Sequence, residues 1–289
     1  MSALAKVSGI AVRGGQSAPK QRRARPRAWR VAILVFAAIF YLLPLLCAIK
    51  FSLINQKGHY GVQNYTVIAN NSTLRASLFL SLEIAAVTAA VVVLLVFPTA
   101  VLVRLKLPKL TILMEAITIL PIVVPPIVLA AGLLQMKETA PLWIVNDFFN
   151  HPMTILAPMY VVLAMPLVYR AIDTGLRAID LHTLVDASRS LGASWPRTLL
   201  RVVLPNVQTA VLGGMFLTIA MVLGEVVIAN LLDQSTLTFP LQMIQFASQD
   251  NAPGISVALT LMALAFTFLL LFMLTFLSRR RGAQSAGVI

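Results

Sequence analysis

Six apolar runs, each as long as a bilayer is thick, recur along this 289-residue chain and leave it few ways to fold. A helix needs about 20 apolar residues to cross the hydrocarbon core. The segments 31–54, 76–103, 110–136, 154–175, 207–232 and 255–277 all reach that length. In lipid the backbone amides of a continuous apolar run must be satisfied within the run itself, which means a helix. Only 11% of the residues are charged and 59% are hydrophobic, whereas a soluble chain carries about a quarter charged residues. The expectation is an all-α polytopic membrane protein with six transmembrane helices over residues 31–278.

An even number of crossings puts both termini on one side, and the basic residues say which. One face receives 19 of the 23 Lys and Arg residues, from the N-terminal tail, the turn holding Arg104, Lys106 and Lys109, Arg170, the loop 176–205, and Arg279 to Arg281. The other face receives Lys50, Lys57, Arg75 and Lys137. Both termini and the 176–205 loop are therefore expected in the cytoplasm, with the spans in the inner, cytoplasmic membrane. Residues 1–30 form a basic tail without a core of its own, expected to lie near anionic headgroups. Residues 279–289 form a second, short basic tail.

The net charge of +13 does not imply a nucleic-acid partner, because the basic residues sit between spans rather than on a separable domain. No cleaved signal is expected, since the run from Val31 continues to Lys50 without a small-x-small site. Cys47 is the only cysteine, which excludes a disulfide framework or a cysteine metal cluster. It reads as a buried, inert thiol.

Prolines punctuate the spans at Pro44, Pro98, Pro121, Pro125, Pro126, Pro158 and Pro166. Each removes a backbone donor and tends to kink a helix. The third segment, with three prolines in six residues, is predicted to be a bent helix, either lining a pathway or packed against a neighbour.

Residues 186–205 interrupt the apolar pattern with a polar island. Residues 180–191 suit a short helix capped by Asp180, with Leu181, Leu184, Val185 and Ser188 on one face. Gly192 can take the positive φ that ends a helix. A second short helix over 194–203 can start at Ser194 with Pro196 in its first turn, presenting Leu199, Leu200, Val202 and Val203, after which Pro205 opens the fifth span. The ordered positions of Asp186, Ala187, Gly192, Val202, Leu204 and Pro205 resemble the cytoplasmic loop of permease subunits in ATP-binding-cassette importers. That family carries Glu-Ala-Ala, three residues, Gly, nine residues, an aliphatic, any residue and Leu-Pro. Here Asp186 replaces the Glu and Ser188 the second Ala.

The resemblance implies a type I importer permease fold in which Asp186, Ala187, Ser188, Gly192, Leu204 and Pro205 build the contact with a separate ATPase. It further implies a second permease chain, identical or different with different favoured, two ATPase subunits and an extracytoplasmic solute-binding protein. The chain has no Gly-x-x-x-x-Gly-Lys-Ser/Thr loop, so ATP and Mg would be bound by the partner ATPase, with no cofactor in this chain. An interfacial helix pair lying on headgroups would show the same amphipathicity.

Three acids inside spans stand out as pathway candidates, Glu83, Glu115 and Glu225. Glu83 and Glu225 each fall about 10 Å below the outer surface and could face one cavity. Glu115 lies near the cytoplasmic end, within reach of Lys106 or Lys109. Each could instead only stabilise helix packing. The run Leu223 to Ala229 resembles the fifth-span segment of permeases for polyamines, ferric iron and related small solutes. Together with the acids, this favours a polyamine, with ferric iron or an aminophosphonate as alternatives.

A membrane-embedded enzyme has little support. His59 and His151 fall outside and His182 inside, and no nucleophile elbow or paired-His helix occurs. A stand-alone secondary transporter would often show inverted halves, and no such repeat is visible.

Overall fold

Asn71 starts the longest helix of the molecule by accepting hydrogen bonds on its side chain from the amides of Thr73 (3.0 Å) and Leu74 (3.2 Å). The structure, a computed structural model, describes residues 28–55, 58–139, 141, 151–232, 238–248 and 253–285. The described residues are helical apart from turns and one isolated bridge, Ile54 to Tyr60. Of the basic tail 1–30, residues 1–27 lie outside them, and Ala28, Trp29 and Arg30 already belong to the first helix. The chain divides into two units, Met1–Leu46 and Cys47–Ile289.

Helix α1 (Ala28–Ser52) begins in the first unit and ends in the second. Its apolar side chains, Leu34, Phe36, Phe40 and Tyr41 among them, are exposed, and Phe36 stacks on Phe40 at 6.4 Å. Cys47 is exposed on this helix rather than buried. Inside a span its surroundings are hydrocarbon, so the thiol needs no protein core to stay away from water.

In the second unit, α2 (Gln63–Asn70) leads into α3 (Ser72–Lys106), whose 35 residues extend about 52 Å and so exceed the bilayer core. Leu107 and Pro108 end it, and α4 (Thr111–Val123) and α5 (Pro126–Thr139) follow. Helix α6 (Pro152–Arg177) returns to the cytoplasm. Next come α7 (Leu181–Ser190), α8 (Trp195–Thr198), a π-helical turn (Leu199–Val203) and α9 (Leu204–Gly224). The chain closes with α10 (Val227–Leu232), α11 (Phe239–Ala247) and α12 (Pro253–Ser285). Among the described residues five helices are long and apolar enough to cross a membrane, and the α4–α5 pair makes six if counted as one crossing.

Three expected boundaries change. The third span is two helices at 87°, broken at Val124 and Pro125. Pro125 and Pro126 remove consecutive donors, and α4 alone, 13 residues or about 20 Å, is too short to cross. The fifth span stops at Gly224 and restarts at Val227. The sixth helix continues through Arg279–Arg281 to Ser285, so the second basic tail is largely helical.

Helices α3, α6 and α9 pack as a triangle. Its cytoplasmic half is filled by Val92, Val96, Val101, Val168, Ile172, Val203 and Val207, with Leu181 and Val185 of α7 beneath. In its outer half Ile84, Ala85, Leu156, Tyr160 and Val222 pack with Ala130 of α5 and Ile228 of α10. Close approach at one crossing requires glycine: a Cβ on Gly175 would lie 2.5 Å from the Cβ of Ala210.

Candidate coupling loop and translocation surface

The cytoplasmic loop folds from its own residues upward. Asp180 caps α7, accepting from the Thr183 amide (3.3 Å) and hydroxyl (2.8 Å), and these bonds hold its carboxyl below the ordinary range. Leu181, Val185 and Ser188 are buried and Leu184 is half-buried, the face expected from their spacing. Gly192 takes φ +80°. The Gly192 amide donates to Arg189 O (2.9 Å) and the Ala193 amide to Ser188 O (3.2 Å), the paired bonds of a Schellman ending. Nothing lies within 4 Å of where a Gly192 Cβ would be, so only the backbone conformation calls for glycine.

Ser188, where the family pattern has Ala, ties the two arms of the loop together. Its hydroxyl meets the Thr198 hydroxyl at 3.0 Å, and both are buried. The second arm is not a separate helix over 194–203. It starts at Trp195, Ser194 makes no side-chain cap bond, and the π-helical turn carries it directly into α9. The reason is Pro205, which lacks an N–H and would press its ring on the carbonyl of Arg201 in an α-helix. The wider turn, closed by Leu204 N to Leu199 O, admits it, and Asn206 Nδ2 donates to Val202 O (2.7 Å). The loop and the fifth span are one rod, Trp195–Gly224.

What the loop presents outward is mixed. Asp186 and Ala187 are exposed, and Asp186 has no partner among the described residues. Leu191 is 88% exposed and Leu200 61%. Leu204 is half-buried and Pro205 exposed, flanking the turn.

The three singled-out acids go to different places. Glu225 sits where α9 stops and α10 starts. Its carboxylate accepts from the amides of Ile228 (3.0 Å) and Ala229 (3.4 Å) and from the Tyr160 hydroxyl (3.1 Å). In the membrane those restarted amides have no water to turn to, which is why a carboxylate stands there. Glu115 pairs with Arg177 (3.6 Å) rather than with Lys106 or Lys109. Glu83 is exposed on α3, on a stripe with Phe79, Ala90 and Leu94. The neighbouring Ile84 and Ala85 belong to the core that α10 joins, so Glu83 and Glu225 occupy different surroundings.

Two features were not singled out from the sequence. Asp173, inside the fourth segment, accepts from Arg104 Nη1 (2.9 Å) and Arg177 Nε (2.8 Å). It is the hub that joins the cytoplasmic ends of α3 and α6, with Glu115 of α4 attached through Arg177. The i,i+4 spacing of Asp173 and Arg177 was a usable signal. The second is Arg170, seven residues before Arg177 and about 10 Å up α6. It is exposed, with no ion pair among the described residues. It lines a groove of ≈ 840 Å³ between α6 and α9 together with Thr174, Gly175, Asn206, Thr209 and Gly213. Counted only as a topology charge, it gave no sequence signal for that role.

Comparison with known proteins adds to this geometry. A 123-residue stretch is 34% identical to the molybdenum transport system permease protein ModB of Haemophilus influenzae, covering 41% of this chain and 53% of that protein. Over 163 residues it is 30% identical to a probable molybdenum ABC transporter permease protein of Haloferax volcanii, covering 54% and 58%. The chain thus spans a little over half the length of the curated relatives it matches. Residues 97–282, which hold the bent third span, the loop and its rod, match the binding-protein-dependent transport system inner membrane component family, and the chain belongs to that family.

Proposed function

We propose that this chain is one permease half of an ATP-driven importer, with its 180–205 loop as the handle of a separate ATPase. The observation that carries this is mechanical: the loop's second arm is continuous with α9, so a push on the loop moves a span. Asp186, Ala187 and the exposed Leu191 would meet the ATPase. Gly192 and the Ser188–Thr198 bond hold the arms at one angle, and Leu204 and Pro205 form the junction with the span. Closure of two ATPase subunits on ATP would displace the loop and open a route between this chain and a second permease. A solute-binding protein would deliver cargo from outside, and ATP and Mg would be held by the ATPase.

For the cargo we favour a small oxyanion. Both relatives are named for molybdenum, whose common form in neutral water is the tetrahedral molybdate anion. Arg170 agrees with that charge: a cation two turns inside a span, with no ion pair among the described residues, has to face water, a cavity or cargo. The polyamine expectation rests on intramembrane acids and on the resemblance of the Leu223 to Ala229 run, and the Glu225 carboxylate is engaged by two amides and a hydroxyl. Glu83, exposed and without an ion pair among the described residues, would favour a cation, and it would line the route or the contact with the second permease, because lipid would penalise it.

The test is ATP hydrolysis by the reconstituted complex with its binding protein. Molybdate-loaded binding protein should raise hydrolysis, and Arg170→Gln should lower uptake at least about tenfold. Stimulation by spermidine alone would overturn the oxyanion reading, and no solute-dependent hydrolysis would overturn the importer reading.

A further inference from the structure

The cytoplasmic end of α3 and the start of the rod enclose a second groove that the importer reading does not use. It measures ≈ 430 Å³ and is lined by Pro98, Thr99, Leu102, Lys106, Trp195 and Leu199. Thr99, Leu102 and Lys106 fall on one face of α3, so the groove climbs from Lys106 to Pro98, about 12 Å toward the membrane centre.

Its lower end is cationic and aromatic. Lys106 Nζ lies 5.0 Å from the Trp195 ring centroid and the Arg189 guanidinium 5.7 Å. Neither cation has a carboxylate in ion-pair range among the described residues, and Arg189 donates to Ala193 O (2.7 Å). Lys106 ends α3 and Trp195 starts the rod, so this cluster lies at the cytoplasmic ends of two helices, on the positive side, where a Trp ring also settles. Two unpaired cations beneath an apolar slot are complementary to an amphiphile with an anionic head and a hydrocarbon tail. A soluble subunit approaching from the cytoplasm would reach Lys106 but not the upper slot at Pro98.

We propose that this groove binds one anionic phospholipid of the cytoplasmic leaflet. Its phosphate lies between Lys106 and Arg189, and one acyl chain runs over Leu102 and Leu199 toward Pro98. The lipid supplies the negative partner that both cations lack and fills the slot beside the junction of loop and rod. This does not depend on which solute the protein carries.

The test uses the assembled complex in membranes that contain phosphatidylglycerol and phosphatidylcholine. A photoreactive benzoylphenylalanine at position 102 should give, on illumination, an adduct with the mass of phosphatidylglycerol in excess over its share of the membrane. Lys106→Gln with Arg189→Gln should cut that excess, on the order of fivefold for each cation, while phosphatidylcholine adducts do not fall. Lys106→Arg should restore it, and this variant guards against a merely misfolded double substitution. Crosslinks chiefly to the second permease or the ATPase would overturn the proposal. So would adducts in proportion to membrane composition, or an excess unchanged by the double substitution.

Discussion

Two helices among the described residues end at a glycine, at Gly192 in the cytoplasm and at Gly224 inside the membrane, and the two endings are finished by different means. At Gly192 the backbone closes on itself: φ turns positive and two amides reach back to Ser188 and Arg189. Carbonyls left over can find water, so Leu191 and Gly192 project freely. At Gly224 no positive φ is used, and the restarted helix takes its first acceptor from a side chain, Glu225, which Tyr160 of α6 holds in place. A helix end in water needs only a turn. In lipid it needs an acceptor brought by another residue, because each unsatisfied amide there costs several kcal/mol.

The largest expected effect is at the membrane ending. Glu225→Ala should remove the acceptor for Ile228, Ala229 and Tyr160 at once and cost about 3 kcal/mol, read as a lower thermal midpoint of the detergent-purified complex. Glu225→Gln keeps one carbonyl and should lose less. If Glu225→Ala instead left stability intact and abolished uptake, Glu225 would be a pathway residue and the contrast with Gly192 would fail.

Gly192→Val comes next. A β-branched residue at φ +80° costs about 2 kcal/mol of local strain, and no neighbour stands in its way. The thermal midpoint should fall less than for Glu225→Ala, while solute uptake per ATP hydrolysed should fall severalfold. Normal coupling with a strained loop would remove the loop's angle from the mechanism.

The smallest effect belongs to the cap at Asp180. A carboxyl held below its ordinary value contributes stability that is present above about pH 4 and is lost as pH falls through the lowered value. Opening at the Thr183 amide, read as its hydrogen-exchange rate divided by the intrinsic rate at the same pH, should therefore stay low at neutral pH and rise only on strong acidification. Thr183→Val should shift that rise to higher pH. An exchange rate indifferent to both would mean the cap does not order α7.

The loop was legible because its signals are local. Asp180 as a cap, the buried face of α7 and the positive φ at Gly192 each depend on residues a few positions apart. The third span showed its bend through Pro121, Pro125 and Pro126, but not the 87° angle, which depends on Ala130 seating against Ile84, Tyr160 and Ile228. The surroundings of the acids were not legible for a related reason. Periodicity gives a residue's depth, not whom it meets, and depth paired Glu83 with Glu225, whereas Tyr160, 65 positions away, takes part of the Glu225 carboxylate. Asp173 and Arg104, 69 positions apart, met without any local hint.

Sequence alone determined that the chain is all-helical, that it crosses the membrane repeatedly, and which loop faces the cytoplasm. Those properties follow from hydrophobic length and charge placement, which act on each segment separately. Tertiary structure decided that the loop's second arm and the fifth span are one rod, that Glu225 completes a broken helix, and that Arg170 lines a groove with no ion pair among the described residues. These depend on which helices meet at the α3–α6–α9 triangle, and a buried polar group takes its role from the partner it meets there.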